Sequence, residues 1–151
     1  MSHLDDPFRL PRTVLPYRYE VSLTPDLEAA TFTGSVSITV TAFKATEIVL
    51  NAIELDIHSA AINGLDVPFE LHEETERLIL TAPYELSDDS RITLTFSGIL
   101  NDKLRGWYRS TFTDEFGRVR TIATSQMQST DCRRAFPCFD EPDFKAVFAI
   151  S

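Results

Sequence analysis

Pro16-Tyr-Arg-Tyr-Glu-Val-Ser-Leu-Thr-Pro25, followed after a short spacer by Phe32-Thr-Gly-Ser-Val-Ser-Ile-Thr-Val40, decides the fold class. Tyr17, Tyr19, Val21 and Leu23 recur at every second position. Phe32, Val36, Ile38 and Val40 do the same once Gly34 is counted on their face. A period of two sends alternate side chains to opposite faces of a pleated strand, so each run predicts a strand with one apolar and one polar side. One wet face and one dry face are the mark of antiparallel sheets.

The same pattern extends outward from these two runs. Asn63-Gly64 sits between apolar stretches, and both residues tolerate the positive φ of a type I′ turn, which predicts a hairpin pairing 57–62 with 67–71. Further short strands are expected at 77–81, 91–96 and 118–123. Pro83, Ser87-Asp-Asp-Ser90 and Phe116-Gly117 are read as breakers between them. One or two helical turns are expected in Thr130-Asp-Cys-Arg-Arg-Ala-Phe136, with Thr130 or Asp131 as cap and Pro137 as stop. Strands at roughly ten-residue spacing without repeats predict an all-β domain, a sandwich or a broad curved sheet.

At 151 residues the chain is sized for one domain. Its 14 Lys+Arg against 23 Asp+Glu give a net charge of -9, which repels a nucleic-acid backbone and excludes that partner class. No apolar run approaches the roughly 20 residues that span a bilayer, and the first residues lack the basic and apolar regions of a secretion signal. With Met1 as start, the expectation is a cytoplasmic protein with no membrane partner. Cys132 and Cys138 are six residues apart, a spacing that closes only a small loop, and a reducing compartment opposes the disulfide. Two buried free thiols are expected.

Thr124-Ser-Gln-Met-Gln-Ser-Thr-Asp-Cys-Arg-Arg-Ala-Phe-Pro-Cys-Phe-Asp-Glu-Pro142 has no simple periodicity and mixes amides, arginines, aromatics and prolines. It resembles the signature in the amino-terminal domain of the M1 zinc aminopeptidases, the family of aminopeptidase N and the leukotriene A4 hydrolases. The opening run from Leu10 to Pro25, the F-x-G-x-V-x-I strand at Phe32, the block Ile48-Val-Leu-Asn-Ala-Ile-Glu-Leu-Asp-Ile57 and Gly106-Trp-Tyr-Arg-Ser110 follow in family order over nearly the whole chain. The resemblance implies a saddle-shaped β domain resting on a thermolysin-like catalytic domain. It also implies a zinc-dependent enzyme that releases amino-terminal residues from peptides, by metal-activated water with a glutamate general base. Residues 1–151 would then be a single amino-terminal domain that stops before its last strands.

The family's zinc ligands, H-E-x-x-H and a later Glu, and its G-A-M-E-N-like segment have no match here. The histidines are His3, His58 and His72, and His72-Glu-Glu-Thr-Glu76 puts Glu76 where a second histidine must stand. His72 is therefore read as a solvated loop histidine. No catalytic residue, no metal ligand and no cofactor is assigned to this chain, which is expected to be inactive by itself; zinc is expected in the complete enzyme. Gln126 and Gln128 match the family's Q-x-E or Q-x-Q loop, so the resemblance makes both candidates for binding a peptide's amino terminus. The bland alternative is that they satisfy loop backbone groups. Arg133, Arg134, Asp140 and Glu141 are expected to tie the loop to the sheet, with Phe136, Phe139 and Phe144 as core or interface anchors. Tyr108 and Arg109 could contact substrate or the neighbouring domain.

A second reading, from a different class, is a non-catalytic β-sandwich module that binds a partner or serves an assembly. Lys145-Ala-Val-Phe-Ala-Ile-Ser151 reads as a strand running to the last residue, and an open strand edge pairs readily with another chain, so self-association is expected.

Overall fold

The structure, a computed structural model, describes Asp6 and residues 8–151. The alternating runs become long strands. β1 (Val14–Asp26) and β2 (Thr31–Ala42) form a hairpin, followed by β3 (Ala45–Asn51), β4 (Leu55–Ile62), β5 (Leu65–Asp66), β6 (Phe69–His72), β7 (Arg77–Leu86) and β8 (Asp89–Ile99). β9 (Gly106–Thr113) and β10 (Val119–Gln126) make a second long hairpin, and β11 (Val147–Ile150) ends the order. The fold is all-β, and its described helical pieces are 3-10 turns at Glu73–Thr75 and Cys132–Arg134.

The strands form a six-stranded sheet in the order β11-β1-β2-β8-β4-β5, a three-stranded sheet β3-β7-β6 and the ribbon β10-β9. The first two sheets share one apolar cluster. Tyr19 and Val21 of β1, Phe32, Val36, Ile38 and Val40 of β2, and Ile92, Leu94 and Phe96 of β8 bury into it with Ile48 and Leu50 of β3 and Leu78 and Leu80 of β7. Gly34 does share the inner face of β2. Phe96 lies opposite Gly34 and Phe32 opposite Gly98, and each ring occupies the space a Cβ on the facing glycine would need.

Four expectations are corrected. Tyr17 is not on the inner face: Pro16 pairs with Val40 and Arg18 with Thr39, so Tyr17 is the extra residue of a bulge that turns both Tyr17 and Arg18 outward. The Asn63-Gly64 turn forms, with φ of 50° and 80°, and Ala61 pairs with Asp66, but the hairpin is short. The chain leaves the sheet at Pro68, which has no N–H to donate, and Phe69–His72 pairs with β7 in the other sheet. Pro83 does not break β7; it falls in a bulge between the Glu47–Thr81 and Ala45–Leu86 pairs. Finally, β11 joins β1 in parallel, Arg18 against Val147 and Val21 against Ile150, as the edge strand of an otherwise antiparallel sheet.

Candidate functional site

The segment between β10 and β11 is irregular, yet it is fixed at many points. After Gln126, the amides of Asp131 and Cys132 both donate to the Met127 carbonyl, at 3.0 and 3.2 Å, closing a tight turn around residues 127–132. The helical expectation is met by one 3-10 turn, in which Arg134 N–H donates to Asp131 O and Ala135 N–H to Cys132 O. Its cap differs from expectation. The Asp131 carboxylate accepts from Arg134 Nε at 2.9 Å instead of from the turn's amides.

Beyond Pro137 the segment lies along β3. Asn51 and Cys138 exchange two backbone hydrogen bonds, at 2.7 and 3.1 Å. The Asn51 side chain, itself buried, accepts from Asp140 N–H at 3.1 Å and donates to Glu76 O at 3.3 Å. Phe139 N–H donates to the buried Tyr19 hydroxyl at 3.0 Å. Burial raises the Tyr19 phenol far above its ordinary range, so the oxygen stays protonated at any working pH. Asn51, Glu76 and Tyr19 were not legible as loop partners. The one hint was a polar residue closing the apolar run Ile48-Val-Leu50.

The charged cluster is structural. Arg133, whose side chain is 12% exposed, donates to Asp140 and to Glu76 at 2.9 Å each, and Arg134 bridges Asp131 and Glu54. Glu141 turns the other way, accepting from Leu10 N–H at 2.7 Å with Arg9 3.4 Å away. Asp143 is held below the usual carboxylate range by the Arg12 guanidinium that hydrogen-bonds it. Adjacent Asp140 and Glu141 thus diverge and do not form a paired acid and base. Removing one member of a pair as shielded as Arg133–Asp140 typically costs ~3–5 kcal/mol, because it strands the other charge. Phe136 and Phe139 are core residues, while Phe144 is half-buried against Phe139 and under Arg12.

This bracing presents the two glutamines outward. Met127 packs against the core, and Gln126 and Gln128 on either side of it are exposed. Among the described residues neither side-chain amide hydrogen-bonds to another group. Gln128 lines an open depression of about 760 Å³ together with Ser129, Cys132, Asp140 and Glu141. Gln126 ends β10 opposite Gly106 and lies off this depression. Tyr108 is half-buried and Arg109 exposed on the neighbouring strand, and Trp107 packs edge-on against Phe32 with ring centroids 4.9 Å apart.

The described histidines, His58 and His72, do not assemble a metal centre. His58 Nε2 hydrogen-bonds the Ser97 hydroxyl at 2.9 Å on the outer face of the large sheet. His72 ends β6, exposed, with Glu70 3.4 Å away, and position 3 lies outside the described residues. No described helix is long and apolar enough to cross a membrane.

The scaffold is an all-β domain that braces an irregular loop and leaves the amides of Gln126 and Gln128 exposed. Comparison with known proteins identifies it further: the Peptidase M1 N-terminal domain family matches residues 15–151, and the chain belongs to that family. It is 39% identical to an alanine/arginine aminopeptidase of Saccharomyces cerevisiae over 94% of this chain and 18% of that protein. It is 42% identical to aminopeptidase M1-C of Oryza sativa subsp. japonica and 40% identical to aminopeptidase M1 of Arabidopsis thaliana, each over 95% of this chain and 17% of the relative. The chain therefore spans less than a fifth of the length of these relatives.

Proposed function

We propose that residues 1–151 belong to the amino-terminal domain of a longer, cytoplasmic, zinc-dependent aminopeptidase, where they anchor the free amino terminus of a peptide and wall the groove beside it. The observation that carries this reading is the pair of exposed, uncommitted amides, Gln126 and Gln128, on a loop held from below by Asn51, Tyr19 and Arg133. Recognising an α-ammonium demands acceptors at a fixed place, and a rigid loop fixes them without an ordering cost at the moment of binding. An amide oxygen is a weaker acceptor for an ammonium than a carboxylate. Most of the charge compensation therefore falls to a carboxylate contributed by the catalytic domain of the same polypeptide.

The described histidines do not supply the family's H-E-x-x-H ligand pair, since His58 on β4 bonds Ser97 and His72 on β6, in the other sheet, lies beside Glu70. The zinc ligands and the water-activating base lie in sequence outside this chain, and the chain alone releases no amino acids.

In the complete enzyme, Gln128→Ala removes one hydrogen bond to a charged group, worth ~1.5–3 kcal/mol, so kcat/KM for a free-amino substrate should fall about tenfold or more. Gln128→Glu should restore it. A variant with unchanged kcat/KM would leave the glutamines as loop surface. A full-length coding sequence with the scaffold but without H-E-x-x-H would favour the non-catalytic module.

A further inference from the structure

The loop gathers three donors at one point. The Sγ atoms of Cys132 and Cys138 and a carboxylate oxygen of Asp140 all lie within 4.8 Å of one another. Asp140 is legible in the sequence only as an arginine's partner; the fold adds the two thiols. Zinc–sulfur bonds of ~2.3 Å and zinc–oxygen bonds of ~2.0–2.2 Å place tetrahedral ligands roughly 3.5–3.8 Å apart, so small side-chain rotations of about 1 Å close this set on an ion.

The backbone of two donors is already fixed. Cys138 exchanges both its backbone hydrogen bonds with Asn51, and Asp140 N–H donates to the same asparagine's side chain. Cys132 is held by the Met127 carbonyl at the start of its 3-10 turn. Arg133 Nε binds one carboxylate oxygen of Asp140, orienting the group as an outer hydrogen bond orients a metal-ligating carboxylate, and Glu76 offsets the guanidinium charge. Access exists on one side: Cys132 and Asp140 line the open depression, while Cys138 closes the inner side. Two sulfurs and one oxygen select a soft d¹⁰ ion over magnesium or calcium.

We infer that Cys132, Cys138 and Asp140 form a three-ligand site for a thiophilic divalent ion, with zinc the cellular occupant and the fourth position open to the depression. Binding displaces a proton from each thiol and forms two metal–thiolate bonds and one metal–carboxylate bond, with no change of oxidation state.

The test is titration of the reduced, metal-free chain with cadmium ion, reading the ultraviolet sulfur-to-cadmium charge-transfer band. The expected result is saturation at one equivalent, reversal by zinc, and loss of the band in Cys132→Ala. In Asp140→Asn cadmium affinity should fall about tenfold or more. No band at one equivalent, or a band unchanged in Cys132→Ala, overturns the site, and unchanged affinity in Asp140→Asn overturns the carboxylate ligand. Should Cys132→Ala lose its far-ultraviolet circular dichroism, the wild-type chain still decides: one equivalent of zinc must slow labelling of both cysteines by a thiol reagent, and unchanged labelling refutes the inference.

Discussion

Tyr19→Phe removes one oxygen from the middle of the molecule and keeps everything else. Tyr19 is 1% exposed; its ring stacks on Phe148 at 4.5 Å and 8° and meets Phe136 edge-on at 6.3 Å. Phenylalanine preserves those contacts. What disappears is the acceptor for Phe139 N–H, 3.0 Å away in a buried setting. Leaving a buried donor without a partner costs about 1–3 kcal/mol, a sizeable share of the ~5–15 kcal/mol that holds a domain together. With a urea slope of ~1–3 kcal/mol per molar, the unfolding midpoint should drop by about 1 M with the slope unchanged. Because the phenol stays protonated across the neutral range, the loss should be the same at pH 6 and pH 8, to within roughly the error of extrapolation. The loop should loosen with it, exposing the Cys138 thiol, now 3% exposed, to faster labelling. A midpoint shift under about 0.2 M together with unchanged labelling would show that the Tyr19–Phe139 bond does not anchor the segment.

Gly106 has φ of 65°, and a Cβ there would stand 2.6 Å from Arg134 Cβ, so Gly106→Ala should cost at least ~1 kcal/mol in urea unfolding; a neutral result would mean that the root of the β9–β10 ribbon yields freely. Asp114 sits in the turn of that ribbon with its carboxyl held below the ordinary range, chiefly by the Arg118 backbone N–H and also by Arg120 and Phe116. A depressed folded pKa means that the turn's extra stability is complete above the unfolded carboxylate range and is lost as pH falls through the folded value. Protection of the Phe116 and Arg118 amides, taken relative to their intrinsic exchange rates at each pH, should therefore fall on acidification, and Asp114→Asn should flatten that dependence. At the sheet edge, Val147 is 60% and Ile150 65% exposed on β11, so the chain should self-associate in sedimentation and Ile150→Lys should reduce it; equal sedimentation of the two would place the contact elsewhere.

Much of this protein is written locally. The faces of β2 and β8, the Asn63-Gly64 turn with its two positive φ angles and the helical turn before Pro137 all follow from relations between residues a few positions apart. The structural role of the arginine and carboxylate cluster was legible too, because adjacent Asp140 and Glu141 cannot easily aim at one target. The likeness of the 124–142 block to the M1 signature named the two glutamines; alternation alone is silent about them.

Tertiary structure decided the rest, where the choice of partner is global. No local rule sends Phe69–His72 to β7 rather than back to β4, or lays β11 parallel to β1; the competition between sheets for a shared apolar cluster settles both. The loop's exposed amides stay in place through Tyr19, 120 residues from Phe139, and through Asn51, 89 residues from Asp140. Short-range chemistry fixed which segments are strands and where they turn. Which strands met, and so which buried groups came to hold the loop, depended on packing across the whole chain, and no window of sequence contains it.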